Sequence, residues 1–80
     1  MDKYANIIMD ILKEVNQYEN IEKDTDLLEA GILNSLNLLY LIEELEDRYE
    51  MTIPESEVKP ENFRSIEQIA LLVDKLVRKG

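Results

Sequence analysis

The amino-acid sequence predicts an all-α fold: a small four-helix bundle of three main helices and one short helix, with a long ordered loop between the first two. Three observations carry this expectation. Apolar residues recur at three- and four-residue spacing in three separate segments. A Ser-x-x-Gln capping pattern, Ser65 to Gln68, opens the last of them. Eighty residues, 45% of them hydrophobic, are enough for one domain built on one core, and no more.

The first helix is expected over about residues 3–17. Tyr4, Ile7, Ile8, Ile11, Leu12, Val15 and Tyr18 form its apolar face, with Lys3, Asn6, Asp10, Lys13 and Glu14 outside it. A second helix is expected to start near Asn34 or Ser35 and run to about Glu50. Leu36, Leu38, Leu39, Leu41, Ile42, Leu45 and Tyr49 are too many for one narrow stripe. Its first turns must therefore pack on several sides or present apolar surface to a partner. Glu43, Glu44, Glu46, Asp47 and Glu50 read as a solvated acidic face. Tyr49, Met51 and Ile53 alternate with Glu50 and Thr52, which predicts an extended exit ending at Pro54. Residues 55–62 read as a connection holding one short helical turn. The final helix follows Ser65, with Ile66, Ile69, Ala70, Val73, Leu76 and Val77 inward. Lys75, Arg78 and Lys79 lie at its C-terminal end, where the helix dipole favours cations.

The connection over residues 17–33 is about twice as long as usual for a bundle, where 2–8 residues are typical. It holds Ile21, Leu27, Leu28, Ile32 and Leu33. Five large aliphatics are not what a loose linker needs, so they are expected to pin an ordered loop across the bundle. Asp24, Thr25 and Asp26 are expected to start a short turn within it.

Composition excludes several functions. Nine Lys and Arg stand against eighteen Asp and Glu, a net charge of −9. Such a surface repels nucleic acid and anionic membrane and attracts basic partners. The chain has no Cys and no His. It therefore lacks a thiolate, a disulfide frame, the commonest general base and the commonest transition-metal ligand. No catalytic residue and no metal site is expected. The N-terminal segment is polar and periodic rather than signal-like, and no apolar run is long enough to span a bilayer. The chain reads as cytoplasmic.

One residue still invites chemistry. The loop ends in Gly31-Ile32-Leu33-Asn34-Ser35-Leu36, where the second helix begins. A helix start offers unpaired N–H groups and the positive end of the dipole, so a phosphate ester there is electrostatically favoured. If Asn34 takes the cap, the Ser35 hydroxyl is free to point outward. On these residues alone, a simple capping role for Ser35 remains open. A self-activated nucleophile does not, because the chain has no His and no Ser-x-x-Lys spacing at this position.

Beyond that run lie Leu39, Ile42 and Leu45-Glu46, then Tyr49-Glu50-Met51-Thr52-Ile53-Pro54 and Phe63-Arg64-Ser65-Ile66. In order and spacing, residues 24–76 resemble the acyl carrier protein family, which includes peptidyl and D-alanyl carrier proteins. That family's pattern is Gly, two variable residues, Asp-Ser-Leu, an acidic helix, aromatic-x-aliphatic-x-Ile-Pro, and a capped final helix. The first helix and long loop fit as well, so a single carrier domain is expected over residues 1–80.

The resemblance implies that Ser35 receives a 4'-phosphopantetheine arm, derived from coenzyme A, from a phosphopantetheinyl transferase. Acyl or aminoacyl groups would then travel on the arm as thioesters. The implied partners are an acyl- or aminoacyl-activating ligase and downstream synthase or transferase enzymes, meeting a monomeric carrier with no catalysis of its own. Carried over by position, Leu36 and Leu39 would flank the arm, although Leu39 in particular also reads as a core residue. Glu43, Glu46 and Asp47 would meet basic patches on partners, or simply form a solvated face. Asn34 stands where the family usually has Asp, and Tyr40 where fatty-acid carriers commonly have an acid. The Gly-Ile-Leu-x-Ser run looks most like D-alanyl and other specialised carriers. An unmodified helical adaptor is the alternative that Asn34 favours. An acidic divalent-cation buffer is a weak third, since residues 24–28 lack the further ligands and glycine of a calcium loop.

Overall fold

The computed structural model describes residues 2–15 and 21–79, without the side chains of Asp2 and Lys79. Three α-helices appear: α1 (Asp2–Val15), α2 (Ser35–Tyr49) and α3 (Ile66–Lys79). No strand occurs among the described residues. Where a short fourth helix is expected, two single 3-10 turns stand instead, Glu55–Glu57 and Pro60–Asn62. Pro54 and Pro60 account for this. Each forces the residue before it out of the helical region, so neither turn can grow backward into a longer helix.

Helix α1 is the element that the other two share, packing against both α3 and α2. Its expected apolar face is the observed one: Tyr4, Ile8, Ile11 and Leu12 are buried, and Ile7 and Val15 half-buried. Lys3, Asn6, Asp10, Lys13 and Glu14 face solvent as expected. Tyr18 and the expected last turn at residues 16–17 lie outside the described residues. Leu41 and Leu45 of α2 and Ile66, Ile69 and Val73 of α3 complete the core with Phe63. Burial of each such side chain contributes about 1.5–3 kcal/mol before ordering costs. Ser65 caps α3, its Oγ accepting the Gln68 N–H at 3.2 Å.

The exit from α2 differs from the alternating segment expected. Tyr49 still belongs to the helix, and Glu50 takes the left-handed conformation (φ 49°) that ends it. The N–H groups of both Glu50 and Met51 turn back to the Glu46 carbonyl, a Schellman-type stop built without glycine. Glu46 is used again at this corner: its Oε2 accepts the Ile53 N–H at 2.8 Å. Residues 51–54 then run without regular structure, with Ile53 buried.

Candidate functional site

The long loop does run across the bundle as its aliphatics predict. Ile21, Leu27, Ile32 and Leu33 are buried and Leu28 is half-buried. Polar groups fix its path. Thr25 Oγ1 accepts the Glu22 N–H at 2.9 Å, and Asp26 Oδ1 accepts the Glu29 N–H at 3.0 Å. Arg64, just before α3, then clamps the loop twice. Its carbonyl accepts the Leu27 N–H at 2.7 Å, and its guanidinium meets Asp26 Oδ2 at 3.2 Å. The Glu29 N–H first, and then Arg64, hold the Asp26 carboxyl below its ordinary value.

The loop closes on itself before α2 begins. The N–H groups of Ile32 and Leu33 both return to the Leu27 carbonyl at 3.0 Å. Gly31 makes this reversal possible with φ +77°, a conformation that residues carrying a Cβ rarely adopt. Asn34 is extended (φ −115°, ψ −176°), and its Oδ1 accepts the Asn37 N–H at 2.9 Å. Asn34 is therefore the N-cap, and Ser35 is the first helical residue, exposed to solvent. The first turn of α2 contains no acid. A phosphodiester at Ser35 would meet the positive end of the helix dipole, with no carboxylate of that turn to oppose it. The residues present fit such a group.

Asn37 adds a contact that the periodicity does not reveal. Its side-chain amide donates to the Ile32 carbonyl at 3.0 Å, tying the loop end to the first turn of the helix.

The surplus leucines of α2 face outward. Leu36 is 75% and Leu39 is 59% exposed, so the core reading of Leu39 gives way to the surface one. Glu43 and Asp47 are also exposed, whereas Glu46 is half-buried and engaged with Ile53. Tyr40 turns to α1, where its hydroxyl donates to Glu14 Oε2 at 2.5 Å. Arg48 reaches Glu14 at 3.3 Å and Glu44 at 3.2 Å. The Glu14 contact holds the Tyr40 hydroxyl above its ordinary value.

Two hollows flank the start of α2. An apolar pocket of about 130 Å³ lies between the loop and the 3-10 turns, lined by Leu28, Leu38, Val58, Lys59, Pro60 and Phe63. A groove of about 400 Å³ runs between the end of α1 and the outer face of α2, lined by Val15, Leu36, Asn37, Leu39, Tyr40 and Glu43. No group of three or more potential metal ligands occurs among the described residues. None of the described helices is long and apolar enough to cross a membrane.

Ser35 thus stands exposed at the capped start of α2, on an acidic and all-helical domain. The family described as "Phosphopantetheine attachment site" matches residues 6–73, and the chain belongs to this family of phosphopantetheine-binding carrier proteins. It is a non-catalytic carrier protein whose cofactor is a covalently attached 4'-phosphopantetheine. The D-alanyl carrier protein of Lactococcus lactis subsp. lactis is 35% identical over 68 residues, covering 82% of this chain and 86% of that one. Solved structures are similar as well. A carrier protein chain from the complex of Bradyrhizobium japonicum glycine:[carrier protein] ligase with glycylated carrier protein matches with a TM-score of 0.76 and 28% identity. The match covers 86% of this chain and 96% of that one. A chain in a crystal structure of an FAD-dependent dehydrogenase matches with a TM-score of 0.68 and 36% identity, over 72% of this chain and 82% of that one.

Proposed function

We propose that Ser35 bears the phosphopantetheine arm and that the carrier's cargo is an amino acid, activated by a ligase and handed on to a downstream transferase or synthase. The observation that carries the attachment site is Ser35 itself: exposed, first in α2, with the cap already supplied by Asn34 and no acid in the turn. When bound, the arm supplies the thiol that this Cys-free chain lacks. The protein's own residues position and present. Asn34 and Asn37 lock the loop to the helix start, and Gly31 lets the loop reverse just before it.

The amino-acid cargo is supported by the D-alanyl and glycylated carriers that the chain resembles. Partner docking is assigned to the exposed α2 face, with Leu36 and Leu39 as apolar contacts and Glu43 and Asp47 as charges for basic patches. Glu46 contributes less directly, because one of its oxygens holds the Ile53 N–H. We assign the carrier to the cytoplasm, as a monomeric single domain over residues 1–80 that meets a phosphopantetheinyl transferase first.

Incubation with coenzyme A and a broad-specificity transferase should raise the intact mass by one phosphopantetheinyl group. Ser35→Ala should abolish the rise and leave helical circular dichroism unchanged. Modification of the Ser35→Ala protein would sink the assignment, and an unmodified but partner-binding wild type would favour a docking adaptor.

A further inference from the structure

The start of α2 is fastened to the start of α3 through the loop. Leu27, fully buried, has its two backbone groups committed to different ends of that path. Its N–H donates to the Arg64 carbonyl at 2.7 Å, and its carbonyl accepts the N–H groups of Ile32 and Leu33, each at 3.0 Å. Only Asn34 then separates Leu33 from Ser35. Asp26 repeats the pattern with its side chain: Oδ1 accepts the Glu29 N–H at 3.0 Å, and Oδ2 meets the Arg64 guanidinium at 3.2 Å. The Asp26 carbonyl also accepts the Ala30 N–H at 2.9 Å, so the turn leading into Gly31 is built on the residue that Arg64 grips. Arg64 is itself fixed, because Ser65 caps α3 and the Glu67 N–H donates to the Lys23 carbonyl at 3.2 Å.

From this chain of bonds we infer that Arg64 and Asp26 are positioning residues for arm attachment: their pair holds residues 26–33 in the arrangement that presents Ser35 to a transferase. The inference rests on the proposed attachment at Ser35 and deepens it. Ordering a loop costs backbone entropy residue by residue. Glu29, Ala30 and Gly31 are exposed, so burial does little to offset that cost where the chain reverses. The bonds at Asp26 and Leu27 must supply the order instead. With the ion pair cut, the loop samples other arrangements, and only a fraction of the carrier is ready to dock at any moment. Apparent affinity falls by that fraction, while the docked complex reacts as before. The signature is a raised KM for the carrier with kcat kept.

The test compares Asp26→Asn, Arg64→Gln, Arg64→Lys and the Asp26→Asn/Arg64→Gln double variant with wild type, loaded from coenzyme A by a broad-specificity transferase. Asp26→Asn keeps an oxygen for the Glu29 N–H and removes the charge facing Arg64. KM for the carrier should rise about two- to fivefold in Asp26→Asn and in Arg64→Gln, the weight of one partly exposed ion pair, with kcat unchanged. It should rise no further in the double variant and less in Arg64→Lys. In the unloaded proteins, amide exchange of Ile32, Leu33, Asn37 and Leu38 should quicken by a similar factor, while that of Leu45 in mid-α2 does not. Glu57→Gln, which loses the Lys75 pair far from the loop, controls for stability alone and should leave both readouts at the wild-type value. A normal KM in Asp26→Asn beside a raised one in Arg64→Gln would make Arg64 a direct transferase contact and overturn the inference. Equal quickening at Leu45, or the same effects in Glu57→Gln, would overturn it too, by reducing the pair to general stability. Wild type that takes no arm would overturn the attachment at Ser35, a separate failure, since the exchange rates decide the clamp on unloaded protein.

Discussion

At Gly31 no heavy atom lies within 4 Å of where a Cβ would stand, so space does not explain the glycine; its φ of +77° does. Gly31→Ala should therefore cost about 1–2 kcal/mol through backbone conformation alone. Against a total of roughly 4–12 kcal/mol expected for 80 residues, that is a large share, and it should lower the urea midpoint measurably. An unchanged midpoint would mean that the loop relaxes out of the left-handed region. Asn34, three residues on, separates capping from charge. Asp at this position keeps the acceptor for the Asn37 N–H and adds a negative charge at the helix start, which gains about 0.3–1 kcal/mol. A charged hydrogen bond to a basic partner also exceeds a neutral one by about 1 kcal/mol, and 1.4 kcal/mol is tenfold. Asn34→Asp should then speed loading by a generic transferase between a few-fold and tenfold at low salt, with the gain shrinking at high salt. Equal loading rates at low salt would show that Asn34 is no docking defect.

Among the elements, α1 and α3 were the most legible, because a single stripe of aliphatics at helical spacing has one burial solution against a partner. Helix α2 was legible in extent but not in facing. Periodicity counts Leu36, Leu39, Leu41 and Leu45 alike, yet the first two are exposed and the last two fully buried. Leu36 and Leu39 fall on the helix face of Glu43 and Asp47, and Leu41 and Leu45 on the opposite one, a division that a count of apolar positions misses. Ser35 and its capped setting could be read from the run Gly31 to Leu36. The Arg64–Asp26 clamp and the Asn37–Ile32 tie could not, since contacts across thirty-eight residues, or between a side chain and a loop carbonyl, leave no local pattern. The same holds for the 3-10 turns. Lys75 of α3 pins Glu57 at 2.7 Å, and Asn62 donates to both the carbonyl and the carboxylate of Glu57. The Lys75 contact first, and then the Asn62 bond, hold the Glu57 carboxyl below its ordinary 4.5. A depressed carboxylate contributes stability above its unfolded value and loses it as pH falls through the folded one. Wild type should accordingly exceed Glu57→Gln in stability at neutral pH, with the gap closing below about pH 4.5. A gap that persists unchanged at pH 3 would assign the difference to packing rather than to the ionised carboxylate.

For the whole molecule, charge is the dominant burden. Eight acids lie between Glu43 and Glu61 with only Arg48 and Lys59 among them. Three have stabilising partners: Glu44 pairs with Arg48, Glu46 holds the Ile53 N–H, and Glu57 pairs with Lys75. The other five, Glu43, Asp47, Glu50, Glu55 and Glu61, are exposed. The molecule measures 33 × 23 × 19 Å. At 0.01 M salt the Debye length is about 30 Å, so every charge acts on every other across this span; at 0.1 M it is about 10 Å, and only neighbours interact. Added salt therefore relieves a repulsion summed over a net charge of −9. It also weakens the ion pairs, but each exposed pair is worth only about 0–1 kcal/mol. Relief should outweigh loss, and the melting temperature should climb between 10 and about 300 mM sodium chloride, most steeply at the low end where the Debye length falls fastest. A fall in melting temperature over that range would show that the Arg48, Arg64 and Lys75 pairs, with Arg78–Asp74 within α3, outweigh the repulsion. Because no three carboxylates converge among the described residues, magnesium at matched ionic strength should follow the same curve. A saturating rise at low millimolar magnesium, above the sodium chloride curve, would instead reveal a chelating site formed by these acids.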